Sequence, residues 1–299
     1  MSESHRLKYV AINPEDRKWG MVVNVAGYQE KEADTPHPAG LHPGSYMFTK
    51  DKGRILPCFQ ILYITRGHGE FHCGTLGRDN PVRIKEGDMF LLFPGEWHTY
   101  YADPGSIWGE FWIGFEGKIP QEWLSSGLLD KSHPVFHVGL REDVSAAYSK
   151  AIEVMIAQKP GYQQLLGSLA ANIVSLALYY DKSGEYEDSA DEEDIKKARI
   201  LVEQQLATIT PEELALKVNM GYSKFRKLFR SYTGFAPAQY ISEMKISRAK
   251  ELLSGTENSV KAIASDLGFR SGDYFVTAFK RHTGMRPLAF RKQSRTTNI

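Results

Sequence analysis

The feature that most constrains this chain is a phrase it uses twice. Phe229 to Pro237 reads FRSYTGFAP, and fifty residues further on Phe279 to Pro287 reads FKRHTGMRP. At the same offset Phe225 matches Phe275, Leu228 matches Ala278 and Tyr240 matches Phe290, without a gap. Agreement of this kind means one supersecondary unit used twice. Residues 195–299 must therefore fold as two copies of one small device.

The punctuation around the repeat is that of short helices. Thr210-Pro211-Glu212-Glu213 supplies an N-cap, a Pro at the first helical position and a capping-box acid, and starts a helix through Val218. After Asn219-Met220-Gly221, a second helix puts Phe225, Leu228, Phe229 and Tyr232 on one side. Ser223, Lys224, Arg226, Lys227 and Arg230 stand on the other, until Gly234 stops the helix. In the second copy Ser259 caps VKAIASDL, Gly268-Phe269 makes the turn, and Phe275, Ala278, Phe279 and His282 form the buried face. Ser271, Asp273, Val276, Thr277 and Lys280 face outward. Each copy reads as a helix-turn-helix, whose second helix lies in the major groove while the first crosses the backbone. Asp273 either accepts from a cytosine amino group or satisfies free N–H groups at the helix start. Between the copies, PAQYISEMKISRAKELL reads as one long helix. Such a spacer lets two recognition helices enter successive major grooves, roughly 34 Å apart.

Charge separates the same block from the rest. Residues 1–194 carry 18 Lys and Arg against 28 Asp and Glu, whereas residues 195–299 carry 19 against 8. A basic block behind an acidic one suits a part that meets a polyanion and a part that stays clear of it. The boundary falls in DKSGEYEDSADEED (Asp181 to Asp194), acids with Ser and Gly and almost nothing to bury, which reads as a linker. Upstream, to about Leu140, short β-rich runs such as FQILYITR, DMFLLF and GEFWIGF alternate with GHGE, KEGD, FPGE and ADPGS, the pattern of an antiparallel barrel or sandwich. Two helical stretches follow. Val144, Ala147, Tyr148, Ala151, Ile152 and Met155 recur at helical spacing, and beyond Lys159-Pro160-Gly161 so do Leu166, Leu169, Ile173, Leu176 and Tyr180. The second stripe suits a heptad seam between two subunits, or the face that packs on the barrel.

The C-terminal block resembles the DNA-binding domain of the AraC/XylS family of bacterial transcription regulators. The residues that carry the likeness are Ala264, Leu267-Gly268-Phe269, Ser271, Tyr274-Phe275, Phe279-Lys280, Thr283-Gly284, Pro287 and Arg291, echoed in the first copy by Phe225, Leu228-Phe229, Gly234 and Pro237. GDMFLLFPGEWHTY (Gly87 to Tyr100) resembles the second half-motif of a cupin barrel. A cupin ahead of this DNA-binding domain is the arrangement of the family's sugar-responsive members. The resemblance implies an effector inside the barrel, against Arg54, His98, Tyr100, Glu110 and Trp112. The chemistry agrees, since Arg54 and Glu110 offer directional bonds to hydroxyls and the face of Trp112 can cover the C–H side of a pyranose. Trp108, Glu110 and Trp112 are spaced by two, so one strand face can present all three. Filling a barrel core is the other use for such aromatic residues.

The expected fold is therefore α+β: an antiparallel cupin-like β-barrel over residues 1–140, a helical dimerisation element over 141–183, an acidic linker over 184–194 and an all-α double helix-turn-helix domain over 195–299. The expected partners are operator DNA, a small effector of sugar type, a second copy of the chain and, as a further candidate, RNA polymerase; no cofactor or metal is expected. A metal-dependent cupin enzyme fused to a DNA-binding domain is the competing reading, because His68, Glu70, His72 and His98 offer N/O ligands. Its usual pair of His residues separated by one residue is absent, with Gly-Glu-Phe between His68 and His72. A regulator without a small-molecule effector is a further alternative. An alkylation-response protein needs a reactive thiolate, yet the two cysteines, Cys58 and Cys73, both lie in the N-terminal half and read as reduced structural residues. MSESHRLKYV has no signal-peptide core, and the apolar run at Ile173 to Tyr180 is too short to cross a bilayer, so the expected location is the cytoplasm.

Overall fold

The computed structural model describes residues 5–32, 49, 51–184 and 190–296. The chain divides into two compact units, Met1–Glu185 and Tyr186–Ile299. Among the described residues the first contains ten strands: β1 (His5–Tyr9), β2 (Val22–Glu32), β3 (Arg54–Ile55), β4 (Phe59–Arg66), β5 (His68–Cys73), β6 (Val82–Lys85), β7 (Asp88–Leu92), β8 (Trp97–Ala102), β9 (Ile107–Glu116) and β10 (Val135–His137). They form a six-stranded sheet in the order β1-β2-β9-β4-β7-β10 and a four-stranded sheet in the order β3-β8-β5-β6. Every ladder is antiparallel. The expected barrel is built as two facing sheets, and no ladder among the described residues joins one sheet to the other.

Side-chain alternation explains why the large sheet lies in the middle. Along β9, Phe111, Ile113 and Phe115 join a core with Phe59, Ile61 and Tyr63 of β4 and with two helices, α2 (Glu142–Ala157) and α3 (Tyr162–Gly184). Trp108 and Trp112 point the opposite way and join a second core with Leu62, Ile64 and Phe90, against Phe71, Cys73, Ile84 and Tyr100 of the small sheet. A sheet buried on both faces needs near-continuous apolar strands, which is how FQILYIT and DMFLL read. A shorter helix, α1 (Lys118–Ser125), interrupts the strand-rich region; it is too brief to display a helical stripe in sequence.

Of the two uses open to the α3 stripe, packing on the sheet takes up part of it. Leu166 and Ile173 are wholly buried in the core, together with Ala170, Val174 and Ala177. Leu169, Leu176 and Tyr180 of the same stripe pack against this core while staying partly exposed; at 3.6 residues per turn two adjacent stripes of one apolar helix cannot be separated by spacing alone. Docking is reinforced at a β-bulge between Val23 and Val25. There the buried Gln163 amide accepts from Val23 N–H at 3.1 Å and donates to its carbonyl at 2.9 Å. Of the Gly-, Pro- and His-rich stretch Gly20 to Pro43, the first part forms β2, which is paired to β1 and β9; residues 33–48 lie outside the described residues. The supposed linker is helical at both ends. Asp181 to Gly184 close α3, and Asp191, Glu192 and Glu193 form the first turn of α4 (Ala190–Gln204), where acids favour the helix dipole.

The second unit continues with α5 (Pro211–Lys217), α6 (Tyr222–Thr233), α7 (Pro237–Gly255), α8 (Val260–Asp266), α9 (Gly272–Thr283) and α10 (Pro287–Thr296). Its caps are those expected. Thr210 and Glu213 form a reciprocal capping box, Ser259 accepts from Ala262 N–H, and Gly234 and Gly284 end α6 and α9 in the left-handed conformation. Two separate cores result, one around Phe225 and Phe229 and one around Phe275 and Phe279, with α7 contributing Ile241 to the first and Ile246, Ala249 and Leu253 to the second.

Candidate effector site and nucleic-acid interface

The interior of the first unit contains a polar cluster within an otherwise apolar space. Arg54 stands opposite His98 in the β3–β8 ladder, and its Nε donates to His98 Nε2 at 3.1 Å while Nη2 donates to the Tyr100 hydroxyl at 3.4 Å. His98 must then carry its proton on Nδ1, which lies 3.2 Å from the Glu96 carbonyl oxygen. Burial, and after it the Arg54 cation, hold the His98 pKa down to about 3, so the ring is neutral. Burial also pushes the Tyr100 hydroxyl well above its usual range. Glu110 faces Gln29 across the β2–β9 ladder and accepts from its Nε2 at 2.5 Å. Its carboxyl is raised by burial, an effect opposed by the Trp108 indole, Gln29, Lys31 and Arg54. Trp112 completes the set, on the same strand face as Glu110 and in the same core as Tyr100 and Trp108.

All five residues expected at the effector site thus line the space between the sheets, and Arg54, Glu110, His98, Tyr100 and Trp112 are each less than a tenth exposed. Three further polar residues share this inward side, Gln29 and Lys31 beside Glu110, and Gln60 on β4. Gln60 shares the inward parity of Leu62 and Ile64 on β4, and a polar residue in the phase of an apolar face is the signal that marks it. Lys31 is lowered to about 8 by burial, against the pull of Glu110. Gln29 Oε1 and Gln60 Oε1 have no hydrogen-bond partner among the described residues. Buried acceptors in that condition each cost about 1–3 kcal/mol, and a hydroxyl-bearing ligand would satisfy them.

The competing ligand set is divided. His68, Glu70 and His72 project from the outer face of the small sheet, where the Tyr101 hydroxyl donates to Glu70 at 2.6 Å and meets His72 Nε2 at 3.0 Å, and Arg83 bridges Glu70 and Asp103. His98 lies on the inner face. A single ion cannot reach both. Cys58 and Cys73 are buried thiols in the inner core, with the Cys73 pKa raised by burial, contrary to what a reactive thiolate requires.

In the second unit, α6 and α9 follow their turns as the second helices of two helix-turn-helix motifs. Ser223, Lys224, Arg226, Lys227 and Arg230 of α6 are exposed, as are Ser271, Asp273, Thr277 and Lys280 around α9, with Val276 half-buried. Two refinements emerge. Lys224 forms an ion pair with Asp191 of α4 at 2.7 Å, an exposed contact worth little, which phosphate can displace. Ser271 is the N-cap of α9, its hydroxyl accepting from Tyr274 N–H at 3.1 Å, so the capping role open to Asp273 is already filled.

The first unit matches the family described as AraC-like ligand binding domain over residues 52–174, and the second matches the family described as helix-turn-helix domain over residues 214–293. The raffinose operon transcriptional regulatory protein RafR of Pediococcus pentosaceus is 28% identical over 254 residues, which are 82% of this chain and 88% of that protein. The Msm operon regulatory protein of Streptococcus mutans is 27% identical over 242 residues, 79% of this chain and 84% of that protein. Among solved structures, the DNA-binding domain of AdpA in complex with a target DNA is 30% identical, with a TM-score of 0.34, over 35% of this chain and 95% of that one. With a ligand-binding unit of one kind joined to a helix-turn-helix unit of the other, the chain belongs to the AraC/XylS family of DNA-binding transcription regulators.

Proposed function

We propose that this regulator responds to a sugar bound between the two sheets of its first unit, against Arg54, His98, Tyr100, Glu110 and Trp112, with Gln29 and Gln60 completing the polar lining. The observation that carries the reading is the buried cluster of Arg54, His98, Tyr100, Glu110 and Gln29, set among aromatic side chains. An interior that only had to be stable would be better filled with apolar residues, since buried charges are costly unless paired. Convergent donors and acceptors in the same interior as Trp112 and Tyr100 suit a ring with hydroxyls on its edge and C–H groups on its faces. The similarity to a raffinose operon regulator points to the same ligand class. DNA contact is assigned to the exposed residues of α6 and α9, from Ser223 to Arg230 and from Ser271 to Lys280.

The same proposal includes a homodimer, with its seam displaced from the buried stripe to the next one around α3. Leu165, Leu169, Asn172, Leu176 and Tyr179 are spaced by four, three, four and three. Leu165 is 47% exposed and Tyr179 63% exposed, which makes this the stripe available to a second copy.

The sugar reading is tested by thermal unfolding of the full chain, followed by tryptophan fluorescence, with a panel of mono- and oligosaccharides. A ligand at a hundred times its Kd adds about 2.7 kcal/mol. The expected result is an upward shift with one sugar class, lost in Trp112→Ala and in Glu110→Gln. A panel that leaves the transition unmoved removes the sugar hypothesis and leaves Trp112 as core filling.

A further inference from the structure

The two helix-turn-helix motifs possess separate cores, so something besides the α7 backbone must fix how one recognition helix is placed relative to the other. Lys245 stands near the midpoint of α7, between Ile241, buried in the first core, and Ile246, buried in the second. Its ammonium donates to the Ala207 carbonyl at 3.3 Å and to the Gly268 carbonyl at 3.3 Å, and lies 5.6 Å from the centre of the Phe269 ring. Ala207 belongs to the loop leading into α5, whereas Gly268 makes the turn between α8 and α9. One side chain therefore holds the entrance of the first motif against the turn of the second.

The backbone approach at this point is close. Gly268 adopts φ +67°, and a β-carbon there would overlap the Ala207 carbonyl oxygen. Two carbonyl dipoles converging on one point repel each other unless a cation sits between them, and charge-assisted bonds of this kind are stronger than neutral ones. Burial lowers the Lys245 pKa from its usual value, the mark of an ammonium withdrawn from water to make these contacts. Two other ties accompany it. Leu206 packs against both cores, and Glu243 of α7 pairs with His282 of α9 at 2.9 Å.

We propose that Lys245 is a positioning residue for DNA readout: it clasps the two motifs into one rigid head and thereby sets the spacing and phase of the sites that α6 and α9 read together. One base pair of B-DNA changes phase by roughly 35° and advance by about 3.4 Å. A rigid head is intolerant of that change, and a hinged one accommodates it. Loss of the clasp leaves each motif's own core intact and removes the advantage of binding both sites at once.

The test uses the full chain and a duplex selected from a random library with it, the two contacted boxes being located by footprinting. Binding is measured on that duplex, on one with a single box scrambled, and on duplexes with one base pair added or removed between the boxes. Lys245→Met keeps the aliphatic stem and loses the donors. It is expected to lose about tenfold on the two-box duplex and less than about twofold on the single-box duplex, the scale of one charged hydrogen-bonding group. Its penalty for altered spacing should fall by a similar factor. Lys245→Arg, which keeps charge and donors, should retain most of the two-box preference. An equal loss on both duplexes, or no loss on either, overturns the proposal. Should Lys245→Met fail to fold, Lys245→Gln is read by the same ratio. The inference rests on both α6 and α9 contacting DNA; if that reading is the one at fault, scrambling a box costs the wild-type chain nothing.

Discussion

Protonating His98 offers a direct measure of how the proposed effector site is built. The ring is 1% exposed, and its Nε2 accepts from Arg54 at 3.1 Å. A second proton would break that bond and place two cations side by side in a buried space. Burial and Arg54 accordingly hold the pKa down to about 3, from an ordinary 6.5. Because the folded value is the depressed one, the unfolded chain takes up the proton first. The stability linked to His98 is complete above about pH 6.5 and is lost progressively as the pH falls toward 3. Integrated from pH 7 to pH 5, the loss is about 2 kcal/mol. All five tryptophans, Trp19, Trp97, Trp108, Trp112 and Trp123, belong to the first unit, so urea unfolding of the full chain followed by their fluorescence reports on that unit alone. His98→Gln, which cannot titrate, should be less stable than wild type at pH 7, with the gap closing by about 2 kcal/mol at pH 5. Other ionisable groups are common to both proteins and cancel in the difference. A gap that stays constant across this range refutes a neutral imidazole buried against Arg54.

Ile173→Glu places a carboxylate in the core between α3 and the sheet and should unfold the first unit, whereas Leu169→Glu with Leu176→Glu should give a folded monomer; light scattering that finds the double variant still dimeric puts the seam elsewhere. Arg230→Ala should weaken binding to every duplex and reduce the slope of log affinity against log salt by about one unit, and an unchanged slope in anisotropy titrations means that Arg230 does not meet phosphate. Ser271→Ala should lose the α9 cap, about 1 kcal/mol of stability. Asp273→Ala should leave melting unchanged and relax base preference at one operator position by about 1–3 kcal/mol; lower melting with unaltered preference in a randomised-operator selection would assign Asp273 to structure.

The first unit was legible where alternation fixes which way a side chain points. The spacing of two among Trp108, Glu110 and Trp112 is enough to put all three on one face, and the structure turns that face inward. Alternation cannot say whether a polar residue on a buried face is an error of phase or part of a site; pairing decides it, setting Gln29 opposite Glu110 and Gln60 opposite Gly114. On α3 the difficulty is a surplus of apolar residues. Leu165, Leu166, Leu169, Ile173 and Leu176 support two neighbouring stripes, and packing on α2, β2 and β10 decides which one is interior. Asp191 to Glu193 illustrate a third limit, since acids read as a solvated linker are equally good in the first turn of a helix.

In the second unit the repeat encodes the interior and leaves the readout unrepeated. Thr233 and Thr283 each donate to the carbonyl four residues back, Phe229 at 2.7 Å and Phe279 at 2.8 Å, and each accepts from the N–H two residues on. Phe229 meets Tyr240 edge-on at 5.2 Å between ring centres, and Phe279 meets Phe290 in the same way at 5.5 Å. The shared phrase is therefore the joint between a recognition helix and the helix after it. Outward-facing positions at the same offset have different chemistry: Ser223 against Asp273, Arg226 against the half-buried Val276, Lys227 against Thr277, with Arg230 and Lys280 alike in charge. Cations contribute affinity at any sequence, whereas acceptors and methyl groups discriminate among bases. One scaffold that presents two unlike faces at a fixed spacing cannot read two copies of the same box equally well. The DNA under α6 should accordingly supply most of the salt-dependent affinity, and the DNA under α9 most of the base preference, so that the two boxes of one binding site differ in sequence.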